Sequence, residues 1–303
     1  MCIDSSFMRK FVDLPGKTPY VLILLLLVFS CSSLLAQTLR GTLYDAKTGE
    51  LIPYASAGVK NKSKGGIADR NGAYTIDISG LSPSDSLIFS HIGYTTLAFR
   101  LSDLDLSGRV DVKLKPREQS LAAITVSARR EMLIMGSKNP TSRFTGWGDY
   151  SSSRGRTRGL LIEQKELPFK AVSFACRIKA MTFDSVKMRL NILGKVKGEE
   201  QLQQLLQQNI YFNIYKNAKW VTVDLSTYNI IISGPVVLAL EWVDSWAPPK
   251  KPGEESYQFT IALSKDHGYF YERNTPNEKP VLKQSMELPV MYLKGYKAGI
   301  ADK

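Results

Sequence analysis

From Leu39 onward the apolar residues recur mostly at every second position, in short runs separated by turn residues. Period-two patterning buries one face of a strand and does not fit the 3.6-residue period of a helix, so a chain of this kind folds into sheets. Leu39 to Asp45 reads as a first strand, closed by Lys47, Thr48, Gly49 and Glu50, a turn in which glycine supplies the left-handed position. Pro53 opens a second strand, Tyr54 to Lys60. Asn71-Gly72 ahead of alternating Tyr74, Ile76 and Ile78 predicts a hairpin. Leu87 to Ile92, Tyr94 to Arg100 and Val110 to Leu114 bring the count to about seven strands, enough for one compact sandwich.

A charged stretch with Gly and Pro, Arg129 to Pro140, marks a boundary. The alternation then resumes. Val172, Phe174, Cys176 and Ile178 form one face of a strand, as do Val186, Met188, Leu190 and Ile192 opposite Lys187, Arg189 and Asn191. Ile210 to Ile214 and Val221 to Leu225 repeat the pattern, and Val236 to Val243 is apolar on both sides, as a central strand requires. Glu199 to Gln208 is the one short helix expected. Tyr257 to Leu263, His267 to Glu272 and Met286 to Leu293 raise the total to about nine strands, a jelly-roll-like sandwich. The expected fold is therefore all-β, with two sandwich domains at residues 37–116 and 141–303 and a linker at 117–140.

Residues 1–36 read as a secretory signal peptide. Arg9, Lys10 and Lys17 precede the apolar run Tyr20 to Phe29, and Ala36 offers a small residue before the cut. That run is far short of the roughly 20 residues that cross a bilayer, so no transmembrane span is expected after cleavage. The alternative is a lipoprotein signal ending at Cys31, against which Phe29 beside Ser30 fits poorly. Of the three cysteines only Cys176 lies beyond the leader, so no internal disulfide can form. The formal charge is +12, and removing the leader's three basic and two acidic residues leaves +11, so the basic balance belongs to the exported part. That balance suits an anionic partner as well as it suits solubility.

Three segments in order carry a resemblance: Gly41 to Lys60 (GTLYDAKTGELIPYASAGVK), Gly65 to Ile78 (GGIADRNGAYTIDI) and Leu87 to Tyr94 (LIFSHIGY). From about Leu39 to Leu114 the chain resembles the carboxypeptidase-regulatory-like domain, a transthyretin-like sandwich found at the N-termini of many bacterial cell-envelope proteins. Leu121 to Ala128 is similar to the strand that enters the plug of TonB-dependent receptors, but the remaining chain is too short for a plug and a large barrel. The resemblance implies a module shared with such receptors, with periplasmic or peripheral outer-membrane placement.

It does not bring peptidase chemistry. A zinc peptidase needs a His/Glu ligand cluster, and the only histidines, His91 and His267, have no glutamate at motif spacing; His91 reads instead as a strand-end residue hydrogen-bonded within the first sandwich. No nucleophile elbow, P-loop or dinucleotide fingerprint occurs, and neither metal nor cofactor is expected. Glu241, Asp244 and Asp149 are the candidate carboxylates for glycoside hydrolysis, which needs two flanking a cleft. Glu241 sits in the most apolar strand, and the simpler reading is a carboxylate satisfied by Arg or Tyr. Among the aromatic residues, Trp242 aligns with Leu238 and Leu240 and belongs to the core. Trp246, Trp147 and Tyr150, near strand ends and loops, are the candidate platforms for sugar rings, with Trp246, in a loop, foremost. Arg154, Arg156 and Arg158, in a Ser/Gly-containing run, could grip anionic groups through guanidinium forks; the simpler reading is a solvated connector. The functional expectation is a non-catalytic envelope binding protein, with a glycan as first partner and another envelope protein as second. Nucleic acid is not expected. The alternatives are a glycan hydrolase built around Glu241 and a purely structural subunit.

Overall fold

The structure is a computed structural model, and it describes residues 37–106, 108–117, 131–147, 154–163, 168–194, 202–249 and 258–298. The leader, including Cys31, and the segment Leu121 to Ala128 lie outside the described residues. Among the described residues no helix is long and apolar enough to cross a membrane. Residues 39–303 form one compact unit.

Seven strands build the first sandwich: β1 (Thr38–Asp45), β2 (Ser56–Val59), β3 (Gly65–Ile67), β4 (Ala73–Asp77), β5 (Ser86–Ser90), β6 (Leu97–Arg100) and β7 (Val112–Leu114). One sheet has the order β4-β1-β7, with β1 and β7 parallel, and the other runs β3-β2-β5-β6. Leu43, Ile76, Leu87, Phe89, Val112 and Leu114 close the core between them. Tyr74 and Phe89 meet edge to face at 5.1 Å between ring centroids. The hairpin expected at Asn71-Gly72 is corrected: the turn is present, but β3 and β4 join different sheets. Asp69 Oδ1 accepts the backbone N–H groups of Asn71 and Ala73 at 2.8 and 2.9 Å, and Gly72 adopts φ 70°. This turn carries the chain across the sandwich. Local turn chemistry specifies the reversal, whereas the partner of each strand is decided by which apolar face the core can cover.

The second sandwich comprises β8 (Leu133–Gly136), β9 (Phe144–Gly146), β10 (Thr157–Ile162), β11 (Phe169–Met181), β12 (Ser185–Gly194), β13 (Gln203–Gln204), β14 (Ile210–Tyr215), β15 (Trp220–Asp224), β16 (Ile231–Ile232), β17 (Val236–Trp246), β18 (Phe259–Ala262), β19 (Gly268–Arg273), β20 (Val281–Ser285) and β21 (Met291–Lys297). One sheet runs β13-β12-β17-β10-β19-β20 with β14 on β12; the other runs β8-β21-β11-β18-β9 with β15 and β16 on β11. The core centres on Trp242, whose ring meets Phe183 at 5.1 Å and Phe259 at 5.5 Å. As its apolar pattern indicated, β17 is central and lies between β12 and β10.

Several details depart from the expectation, beginning with β9, β10 and β16, where no strand was expected. β8 lies inside the stretch read as a linker and pairs with β21. β20, over residues 281–285, was not anticipated, because it is an exposed edge strand with little apolar patterning. The described part of the expected helix, 202–208, contains β13, whose Gln204 side chain accepts Ile192 N–H at 3.1 Å and donates to Asn191 at 2.7 Å. A register shift between Ala171 and Ser173 moves Val172 off the core face, which Ala171, Phe174, Cys176 and Ile178 occupy instead. Cys176 is fully buried, and burial pushes its thiol up to about 12. A thiol reagent is expected to leave the native protein unlabelled and to react only on unfolding; rapid native labelling would contradict this packing.

Strand β2 explains why the two sandwiches form one unit. All four of its residues, Ser56, Ala57, Gly58 and Val59, are buried. Ala57 and Val59 face their own core, while Ser56 and Gly58 lie against the second sandwich. A Cβ on Gly58 would sit 3.0 Å from Asn277 Nδ2 and 2.9 Å from the Lys64 carbonyl. A side chain there would push the sandwiches apart, so Gly58→Val is expected to cost about 1–3 kcal/mol, the usual range for overpacking. A chemical-denaturation midpoint equal to that of the parent protein would show that the contact is soft.

Candidate functional site

The site grows from one row across the sheet of the second sandwich. Arg189 on β12 is paired in register with Glu241 on β17, Glu241 with Thr157 on β10, and Thr157 with Arg273 on β19. Side chains of cross-strand neighbours project to the same face, so a carboxylate stands between two guanidinium groups. Glu241 Oε2 accepts from Arg189 Nε at 2.8 Å and from Asn191 Nδ2 at 3.3 Å, and it stands 2.6 Å from Arg189 Nη2 in an ion pair. Its Oε1 lies 3.7 Å from Arg273 Nη2. The adjacent row, Asn191, Ala239, Gly159 and Tyr271, is low in the middle because two of its residues have almost no side chain.

The opposite faces of β12 and β17 fill their own core with Met188, Leu190, Leu238 and Leu240. The polar row instead lies beneath the first sandwich. Arg189 Nη1 donates to the Tyr54 carbonyl at 3.2 Å and to Asn209 Oδ1 at 3.3 Å, and Nη2 donates to Ser56 Oγ at 3.3 Å. Tyr54 presents that carbonyl from a left-handed backbone, φ 61°, an uncommon conformation for a bulky residue. Its ring packs edge-on against Tyr211 at 5.6 Å, and Lys187 Nζ stands 5.1 Å over the ring. Asn277 Nδ2 donates to the Ile88 carbonyl at 3.0 Å, and Asn61 N–H donates to the Asn277 carbonyl at 2.9 Å.

His91 sits at this junction. A strand-end residue bonded only within its own sandwich is the expectation from sequence, and it is corrected: the His91 ring faces Asn209 Nδ2 at 3.1 Å and Tyr211 Oη at 3.4 Å, both from the second sandwich. Burial, reinforced by the nearby positive charge of Arg189, lowers its pKa to about 4. The imidazole is therefore neutral at pH 7.

Beside this network the two sandwiches enclose a groove of about 620 Å3, lined by residues that include His91, Arg189, Asn191, Glu241, Tyr271 and Arg273. The volume falls within the range of small-ligand sites, roughly 300–1,000 Å3.

Of the residues proposed from sequence for ligand contact, the five that are described, Trp147, Trp246, Arg154, Arg156 and Arg158, do not line this groove. Trp147 is corrected from an exposed platform to a core residue: it is 0% exposed and stacks near Phe259 at 5.1 Å. Trp246 is 38% exposed, at the end of β17 rather than in a loop. Tyr150 and Asp149 lie outside the described residues. The three arginines are neither free to grip an anion nor a solvated connector. Arg154 spans the sandwiches, donating to the Val243 and Ala68 carbonyls, each at 3.2 Å. Arg156 Nη1 donates to the Trp147 carbonyl at 2.7 Å while the Trp147 indole donates to the Arg156 carbonyl at 3.1 Å. Arg158 lies in β10, 3.1 Å from Glu272 Oε1. Asp244 is half-buried, and its Oδ1 accepts the Ser245 N–H at 3.0 Å. Among the described sequence candidates for ligand contact or catalysis, only Glu241 lines the groove.

The residues that sequence reasoning missed are Arg189, Asn191, Arg273 and His91. A signal for the first two existed. A central strand apolar on both sides, with one glutamate inside it, implies that both faces of its sheet are covered, so the polar face of the neighbouring strand must be covered as well.

Among solved structures, the chain is similar to the cysteine protease and lectin-like domains of Cwp84, a surface layer associated protein of Clostridium difficile, at 10% identity, with a TM-score of 0.32 over 53% of this chain and 37% of that one. It spans little more than a third of that structure. It is also similar to BcpA, the major pilin subunit of Bacillus cereus, at 12% identity, with a TM-score of 0.19 over 83% of this chain and 68% of the pilin. Likenesses this distant carry no argument about function. No curated protein matches the chain. Residues 39–126, which include the first sandwich, match the family model of the CarboxypepD_reg-like domain.

Proposed function

We propose that the protein is an exported, non-catalytic binding protein of the bacterial cell envelope, and that the groove between its two sandwiches is the binding site. The observation that carries this reading is the convergence of both sandwiches on one polar groove of about 620 Å3. The CarboxypepD_reg-like domain supplies one wall, the Arg189–Glu241 row supplies the other, and the fixed docking holds the lining groups in place before a ligand arrives. Preorganisation of this kind lowers the ordering cost of binding. A glycan or other envelope polymer is the first ligand class, and a second envelope protein is the alternative partner.

The hydrolase reading rests on Glu241. That carboxylate lines the groove, but Arg189 and Asn191 already occupy its Oε2. The test is an array of envelope glycans probed with the purified protein and its variants. Saturable binding lost in Arg273→Gln and kept in Trp246→Ala is expected. Binding lost only in Trp246→Ala would move the site to the strand end, and hydrolysis abolished by Glu241→Gln would make the protein an enzyme.

A further inference from the structure

The walls of the groove differ in what they leave open. Glu241 Oε1 is buried and accepts no hydrogen bond, and Arg273 Nε is buried and donates none. Both residues line the groove, and Glu241 is 0% exposed. Arg273 Nη2 reaches Thr157 Oγ1 at 3.4 Å, which holds the guanidinium beside the carboxylate. An unused acceptor next to an unused donor in a buried position calls for a group that can donate to one and accept from the other, because unmet buried polar atoms are costly. A hydroxyl does both with one oxygen.

The mouth of the same groove is cationic. Lys60, Arg117 and Lys279 line it and are exposed, and none makes an ion pair among the described residues. The acidic residue beside them, Glu278, is already engaged: it accepts from Ser63 Oγ at 2.8 Å and from the Asn274 and Thr275 N–H groups at 3.1 and 3.2 Å.

We infer that the groove takes an acidic polysaccharide, with one sugar hydroxyl held between Glu241 Oε1 and Arg273 Nε while its carboxylates meet Lys60, Arg117 and Lys279. This rests on the groove being the binding site, as proposed above. The floor supplies a fixed, short-range contact to the hydroxyl, and the rim supplies attraction that salt weakens.

The experiment measures binding of the purified protein to oligosaccharide arrays that pair neutral chains with uronic-acid chains, at low and high salt. The expected result is a preference of at least tenfold for the uronic-acid chains at low salt. That preference should be lost in the triple variant Lys60→Ala, Arg117→Ala, Lys279→Ala, whose changes are all at exposed positions and leave the thermal midpoint in place. Arg273→Gln should abolish binding to neutral and acidic chains alike. Equal binding of both classes, lost in Arg273→Gln, would overturn the acidic specificity and leave the groove reading intact. Binding untouched by Arg273→Gln and by the triple variant would overturn both. If no glycan binds, the inference falls, and photocrosslinking from position 279 in intact envelopes then decides the groove reading: a crosslinked envelope protein keeps it, and no crosslink removes it.

Discussion

Arg189→Ala is expected to destabilise the protein by about 3–5 kcal/mol, the usual consequence of stripping one partner from a buried ion pair. Glu241 is 0% exposed, and Arg189 supplies two of its contacts, at 2.6 and 2.8 Å. Arg273, at 3.7 Å from the other carboxylate oxygen, is too distant to take over that role. The variant also removes the donors to Tyr54, Ser56 and Asn209, so the loss falls on the junction as well as on the second sandwich. Denaturant titration measures it directly. Replacing both partners by apolar residues, Arg189→Met with Glu241→Leu, should cost much less than the single change, because no charge is then left buried alone. A double variant as unstable as Arg189→Ala would mean that the loss comes from packing and not from the orphaned carboxylate.

The second large effect is a loss of stability on mild acidification. The folded-state pKa of His91 is lowered to about 4 from an ordinary value of 6.5. Between those values the unfolded chain binds the proton and the folded chain does not, so stability rises with pH through this window. The contribution is complete above pH 6.5 and disappears as the pH falls to 4. A shift of this size corresponds to about 3 kcal/mol. The carboxylates with lowered pKa lose their contributions below that window: Asp45, held down by the Thr48 and Lys47 N–H groups, and Asp77, held down by Lys64 and Ser79. Thermal midpoints from pH 7 to pH 4 should therefore fall steeply in the parent protein and more gently in His91→Gln. Identical slopes would show that the imidazole titrates normally and that the junction leaves it open to water.

The sandwich strands were largely legible in the sequence, and the site was largely not. Period-two alternation located β1 and β12 closely, and a run apolar on both sides located β17, because each owes its burial to its own apolar residues. Trp242 and Cys176 followed from the same registers. Sequence reasoning failed where burial comes from the other sandwich. Arg189 and Asn191 read as a solvent face, and only the docking of the first sandwich makes them interior. The arginine run from Arg154 to Arg158 failed for a related reason: guanidinium groups that look free in a Ser/Gly-containing segment are used on backbone carbonyls and on Glu272 that lie far away in sequence. Trp147 looked like a loop aromatic, although it follows β9 directly into the core. The CarboxypepD_reg-like segment was readable because its motifs are local, whereas the junction is a property of two segments at once.

That the two sandwiches behave as one unit is tested most directly by equilibrium unfolding followed with two probes. All four tryptophans, Trp147, Trp220, Trp242 and Trp246, lie in the second sandwich, so their fluorescence reports on that half alone, while far-UV circular dichroism reports on both. Coincident transitions are the signature of a single cooperative unit. The account predicts coincident curves, and a tryptophan midpoint that shifts when Gly58→Val is made in the first sandwich. Two separated transitions, with the tryptophan midpoint unmoved by Gly58→Val, would contradict it.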